Sequence, residues 1–347
     1  LLFKLLIVLM ILILTQCFPS RVGGIESLIS NMCLGLSKFE DITVFADKYN
    51  LKKDFIYDNL NKERINVKRI GGLKFFRRRS KIKEVKKFVE YNNIKIIISD
   101  TWKSLELGIN YFNEKKIPII CLAHGNELLF ENNKKLMRMK NVLNNVSTIV
   151  SNSNFTLNLV KKIVKKSMSI VVIYPGAQDL RNINAKEIEN IDGNPFLLTL
   201  ARLEKRKGHF FIIQAIKKLV NKFPNLKYII AGSGPELNKL KKIVNNDNLQ
   251  NNIIFVGSVN DAEKKYLFEN SNLMIMPTLD ESKKRSIEGF GISYLEAAFF
   301  GVPSIASNVG GTPEAVIHES TGLIIENIDD LYLNILSLLN NPKKLDL

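Results

Sequence analysis

Short apolar runs rich in Ile, Val, Leu and Phe alternate along the chain with longer segments whose apolar residues recur every three or four positions. In the first half the runs predict strands at 5–14, 41–46, 94–99, 117–122, 147–151 and 170–174. The periodic segments predict helices at 24–38, 80–92, 103–113, 132–145 and 154–166. This alternation argues for a parallel sheet covered on both faces. Tyr174-Pro175-Gly176 and the polar stretch 177–194 break the pattern and predict a linker. The pattern resumes with a strand at 195–200, a helix at 209–222, a strand at 226–231 and a helix at 235–246. Strands at 252–256 and 273–276, a helix at 293–300 and a strand at 302–306 follow, with a helix from about 331. The expected fold is α/β, with two doubly wound, Rossmann-like domains at 1–180 and 181–347. In such folds ligands bind beyond the carboxyl ends of the strands, here the loops after 14, 122, 200, 231, 257 and 276.

Composition adds little to this picture, and charge adds more. The 347 residues, 46% hydrophobic, suffice for two cores. Cys17, Cys33 and Cys121 show no paired spacing, which argues against a disulfide framework or a zinc site and fits a reduced cytoplasm. Of the net charge of +16, nearly all falls in the first half, with 30 Lys and Arg against 15 Asp and Glu in 1–180. Two readings stay open: a Lys/Asn/Ile-rich composition, or a basic face attracted to an anionic membrane surface. Arg77-Arg78-Arg79 with Lys81, Lys83, Lys86 and Lys87 is the densest patch, and no nucleic-acid module accompanies it. Residues 1–14 lack a convincing cleavage site. Met10 as a natural start would give a buried first strand, and a short membrane anchor is the alternative.

Candidate chemistry falls in the expected loops. Arg21-Val22-Gly23-Gly24-Ile25-Glu26 links the first strand to a helix, as a plain turn or as a glycine loop for an anion. Ala123-His124-Gly125-Asn126-Glu127 sets one of only three histidines at a strand end. Ala201 to Gly208 contains Arg202 and Lys207, which could converge on a diphosphate or form a solvated charged loop. Gly232-Ser233-Gly234 is a weak nucleotide-loop signal, and the segment around Gly257 offers a shelf for a base. The strongest signal is SIEGFGISYLEA, residues 286–297. A helix starting near Ser293 would put Glu296 in its first turn. The amides of Gly289, Phe290 and Gly291 would face phosphate, and Glu288 and Glu296 would accept from sugar hydroxyls. Buried carboxylates also need hydroxyl, Arg or Lys partners.

Taken together, these residues resemble the retaining, nucleotide-sugar-dependent glycosyltransferases of family 4, whose fold is GT-B. Glu288 and Glu296 match the E-x7-E motif, Arg202 and Lys207 the diphosphate-binding pair, Gly23-Gly24 the glycine loop, and Gly310-Gly311-Thr312-Pro313-Glu314 the GGxPE segment. The resemblance covers essentially the whole chain, with the motifs in family order. It implies two Rossmann-like domains facing a cleft, with the acceptor on the first and the donor on the second. It further implies Glu296 on the ribose, Glu288 on the transferred sugar, Arg202 and Lys207 on the leaving diphosphate, and His124 near the sugar as a positioning group. The family needs no metal or cofactor, and no D-x-D is present; Asp329-Asp330 is expected to cap the final helix. The wording AHGNEL and EGFGISYLEA looks most like mannosyltransferases that use GDP-mannose to build phosphatidylinositol mannosides, with a UDP-sugar as the other option. That implies a lipid or glycan acceptor and a place on the inner face of the cytoplasmic membrane. Family members usually continue beyond a helix like 331–340, so the chain is read as ending early. Alternatives are a related sugar or sugar-phosphate synthase, or a non-catalytic binder of nucleotide-sugars or membranes.

Overall fold

A computed structural model describes residues 9–341 and divides the chain into two units, between Pro175 and Gly176. The first unit runs β1 (Met10–Leu14), α1 (Gly24–Leu36), β2 (Asp41–Asp47), α2 (Leu51–Asn61), β3 (Asn66–Ile70), α3 (Lys74–Tyr91) and β4 (Ile94–Ser99). It continues with α4 (Trp102–Leu105), α5 (Ile109–Glu114), β5 (Ile119–Ala123), α6 (Asn133–Leu143), β6 (Thr148–Ser151), α7 (Asn154–Lys161) and β7 (Ile170–Val172). Its seven strands are all parallel in the order β3-β2-β1-β4-β5-β6-β7. Both faces are buried, which is why the strands read as continuous apolar runs. Leu12 and Leu14 enter one core with Phe45 and Ile97, whereas Ile11 and Ile13 enter the other with Ile29, Cys33 and Val44.

The second unit runs β8 (Phe196–Leu200), α8 (His209–Leu219), β9 (Lys227–Ala231), α9 (Leu237–Asn246), β10 (Ile253–Gly257) and α10 (Asp261–Asn270). Then come β11 (Leu273–Met276), α11 (Ile292–Phe299), β12 (Ser304–Ser307), β13 (Gly322–Ile325) and α12 (Leu331–Leu339). The sheet order is β10-β9-β8-β11-β12-β13, again all parallel. Alternation recurs: Leu273 and Ile275 line one core, Met274 and Met276 the other.

Several expected elements change. The expected first strand is confined to Met10–Leu14 among the described residues, and residues 5–8 lie outside them, as does most of the candidate anchor. The helix expected at 103–113 is two short helices separated by a turn at Glu106–Gly108, where Gly108 packs against the Phe112 ring. The expected linker at 177–194 is packed onto the second unit. Leu180 and Ile191 are buried, Lys186 N donates to Ala262 O at 3.0 Å, and Lys186 pairs with Glu263 at 2.8 Å. Asp330 does not cap α12 through its side chain. A 3-10 turn over Ile328–Asp330 already places Asp330 in helical backbone, and Asn327 Oδ1 accepts from Asp329 N at 3.0 Å instead.

Part of the basic patch is neutralised. Arg77 pairs with Asp47 at 2.9 Å, Arg78 with Glu106 at 2.6 Å, and Lys87 with Glu84 at 3.6 Å. Lys81 is buried, with its ammonium 2.5 Å from Asp47. No described helix is long and apolar enough to cross a membrane.

Candidate active site

In the second unit the site is built where the loops after β8, β9 and β11 meet. Residues 201–204 leave β8, a 3-10 turn covers Lys205–Lys207, and Gly208 closes it in left-handed backbone (φ 74°). A side chain at Gly208 would run into the Pro277 carbonyl, so the close approach of these two loops requires glycine. Gly232 and Gly234 lie against the same loop. Leu203 N donates to Ser233 O at 3.0 Å, and Glu236 N to Leu203 O at 3.1 Å. Gly232 N also donates to Gly257 O at 2.6 Å, so the two predicted glycine positions are joined to each other.

The loop charges form one alternating chain. Arg202 pairs with Glu204 at 2.9 Å, Glu204 reaches Arg206 at 3.2 Å, Arg206 pairs with Glu288, and Lys207 lies 2.5 Å from Glu288. Arg206 and Lys207 both meet Oε2 of Glu288, and among the described residues no hydrogen-bond donor reaches Oε1, which remains an acceptor. Burial alone would raise the Glu288 pKa. Lys207 and Arg206 outweigh it and hold the carboxyl down to about 2. Burial lowers the Lys207 pKa; Glu288 restores it only in part, and the neighbouring Arg206 charge lowers it further. Glu288 is therefore the group that gains most: one carboxylate answers two cations.

The backbone at Glu288 is fixed separately. Gly311 N donates to Glu288 O at 2.9 Å, and Gly310, at φ 64°, sits so close that a side chain there would overlap the same carbonyl. Gly289, Phe290 and Gly291 are buried, and Gly291 (φ 103°) precedes α11. Because α11 starts at Ile292, Glu296 is its fifth residue and lies beyond the first turn. The expected placement of Glu296 in that turn is corrected. Its partner is a lysine instead: Lys264 of α10 approaches Oε1 at 3.0 Å.

In the first unit, Gly23 and Gly24 open α1, and the chain's own Glu26 carboxylate lies against Gly23, paired with Arg21 at 2.9 Å. His124 follows β5 and is buried. Its Nε2 donates to Asp100 O at 2.9 Å, and its backbone N–H donates to Glu127 Oε1 at 2.7 Å.

The structure thus joins Lys207 to Glu288 and Gly232 to Gly257, but gives Arg202 and Lys207 different partners. Arg202 is the more open of the two, with 59% of its side chain exposed. Glu204, Arg206, Lys264 and Asp100 were not singled out by sequence reasoning. Arg206 and Glu204 sat inside the charged loop as a visible signal; Lys264 and Asp100 meet their partners only through the fold.

Residues 22–179 match the sequence model of glycosyltransferase family 4, and residues 181–346 that of the glycosyl transferases group 1. The chain is 25% identical over 95% of its length to a GDP-mannose-dependent monoacylated alpha-(1-6)-phosphatidylinositol monomannoside mannosyltransferase of Corynebacterium glutamicum, covering 89% of that protein. It is 22% identical, over 96% of its length and 90% of the relative, to a GDP-mannose-dependent alpha-(1-6)-phosphatidylinositol monomannoside mannosyltransferase of Mycolicibacterium smegmatis. Among solved structures it is similar to Anabaena HepE in complex with UDP and glucose, with TM-score 0.78, 18% identity, and coverage of 97% of this chain and 92% of that one. It is also similar to sucrose-phosphate synthase of Thermosynechococcus elongatus, with TM-score 0.79, 18% identity, and coverage of 97% and 91%. Two Rossmann-like units of parallel strands, matched in order by these two models, make the chain a GT-B glycosyltransferase, with a family 4 first half and a group 1 second half.

Proposed function

We propose that the protein is a retaining hexosyltransferase that moves mannose from GDP-mannose to a lipid-linked or glycan acceptor. A UDP-sugar is the alternative donor. The observation that carries this reading is Glu288, whose Oε2 is held by Arg206 and Lys207 while Oε1 is left to accept a hydroxyl. A carboxylate held this way costs no reorganisation when a sugar arrives. Glu296 takes the ribose, and the exposed guanidinium of Arg202 meets the departing diphosphate together with the amides that begin α11. His124 positions the sugar. Attack occurs on the face the diphosphate leaves, which retains configuration. Phosphate charge is met by side chains and amides, so the proposal includes neither metal nor cofactor; loss of turnover in EDTA, restored by Mg²⁺, would contradict that part.

The test is a melting-temperature screen against GDP-, UDP- and ADP-sugars, followed by turnover of the stabilising donor. A donor at 100 times its Kd should stabilise the protein by about 2.7 kcal/mol. GDP-mannose is expected to give the largest shift, and its hydrolysis or transfer should be lost in Glu288→Ala. No shift with any nucleotide-sugar would refute the reading, and an inverted anomer by NMR would refute the retaining step.

Peripheral attachment to an anionic bilayer belongs to the same proposal, and it rests on α2. The one fully buried residue of that helix is Asp54, whereas Leu51, Phe55, Ile56 and Leu60 are exposed beside the exposed Lys52 and Lys53. Exposed side chains of this kind, spread over about half of the helix surface, suit a headgroup boundary, where each large apolar side chain gains about 1.5–3 kcal/mol on full burial. Co-sedimentation with anionic vesicles should be weakened in Phe55→Ser/Leu60→Ser, and equal binding by that variant would refute the placement.

A further inference from the structure

Asp100 follows β4, next to the carboxyl end of β1, and is almost entirely buried. Among the described residues no lysine or arginine pairs with it; its carboxylate is held by hydrogen-bond donors. Oδ2 accepts from Thr15 Oγ1 at 2.9 Å, Gln16 N at 2.8 Å and Cys17 N at 3.3 Å. Oδ1 accepts from Ser104 Oγ at 2.6 Å and Thr101 Oγ1 at 3.5 Å. The Asp100 amide donates to Leu14 O at 3.1 Å, and the Asp100 carbonyl receives His124 Nε2 at 2.9 Å. One residue therefore fixes the start of the loop leading to Gly23, the first turn of α4 and the imidazole ring.

A carbonyl oxygen can only accept, so Nε2 of His124 carries the proton, and in the neutral ring Nδ1 is an acceptor. We propose that Asp100 is a positioning residue for glycosyl transfer. By clamping the loop after β1 and orienting its own carbonyl, it holds His124 as the Nε2–H tautomer, with Nδ1 available to accept from a substrate hydroxyl. This rests on the reading of His124 as a sugar-positioning group.

The test is Asp100→Asn, which keeps the shape but turns an amide N–H₂ toward groups that are themselves donors. With the donor found by the screen, kcat should fall by about 10–100-fold, the size of effect expected from a misplaced group. KM for the donor should stay within about twofold. In ¹⁵N-histidine spectra at pH 8, wild-type His124 should show a protonated Nε2 and a bare Nδ1, and the variant should show mixed tautomers. A lower melting temperature with kcat and tautomer unchanged would mean a purely structural role and overturn the proposal. If Asp100→Asn does not fold, Ser104→Ala and Thr15→Val each remove one donor and should lower kcat by about 3–10-fold; unchanged kcat in both is equally fatal. Should wild type turn over no nucleotide-sugar, the functional reading fails, while the tautomer spectrum still decides whether Asp100 holds His124.

Discussion

Replacing Glu288 by glutamine keeps the side chain's size and removes the one anion that Arg206 and Lys207 share. In the folded chain the carboxyl is held from an ordinary 4.5 down to about 2. At about 1.36 kcal/mol per pH unit, that difference is worth roughly 3 kcal/mol of stability. The sign follows from which state binds protons first. Because the folded value is the lower one, the unfolded chain takes up a proton first as pH falls. The stabilisation is therefore complete above about 4.5 and is lost progressively as pH drops toward 2. The net cost of Glu288→Gln near neutrality is set by a second effect as well: buried Lys207 loses its counter-ion while Arg206 keeps Glu204, and breaking a buried pair costs about 3–5 kcal/mol. Urea unfolding of both proteins from pH 7 to pH 3 isolates the proton-linked part. The stability gap between them should be constant down to about pH 5 and narrow below it. A gap that stays the same size from pH 6 to pH 3 would refute the assignment of this carboxylate as the ion-paired group.

Burial holds His209 down to about 4, so as pH falls from 6.5 toward about 4 the unfolded chain takes up a proton that the folded chain does not, and up to about 3 kcal/mol of stability is lost; melting curves of His209→Phe should lack that slope. Gly310→Ala should cost at least about 1 kcal/mol more than Gly301→Ala in chemical unfolding. Both are left-handed (φ 64° and 68°), but only at Gly310 would the new carbon overlap a carbonyl, that of Glu288. Burial, with Asp100 and Glu26 nearby, pushes the Cys17 thiol up to about 12, and burial pushes Cys33 up to about 12. Iodoacetamide at pH 8 should therefore label neither until the chain unfolds, as read by mass spectrometry.

The central strands were legible because burial on both faces leaves a signal of continuous Ile, Val and Leu; β1, β2, β4, β8 and β11 all carry it. The edges were not. β3, NVKRI, is only partly covered and interrupts its apolar residues with Lys68 and Arg69. α2 buries an aspartate and exposes its large apolar residues, so periodicity points the wrong way. α10 did carry a readable signal, the Asn260–Glu263 capping box, which the apolar pattern overshadowed. In the site, Glu288 and Lys207 announced themselves by motif. Arg206 did not, because three adjacent basic residues look alike until the turn at Lys205–Lys207 aims two of them at one oxygen. Lys264 lies 32 residues from Glu296, and Asp100 lies 85 from Thr15, separations at which no local pattern operates.

The chain Arg202–Glu204–Arg206–Glu288–Lys207 has five members, beginning and ending on a cation. An odd row of alternating charges cannot neutralise itself, and this one is left with a single positive charge when all five are ionised. Any small multivalent anion in the buffer thus competes for that charge. Apparent donor affinities measured in phosphate or sulfate should fall below those in a chloride buffer of equal ionic strength, and only the latter would report the affinity for the nucleotide itself.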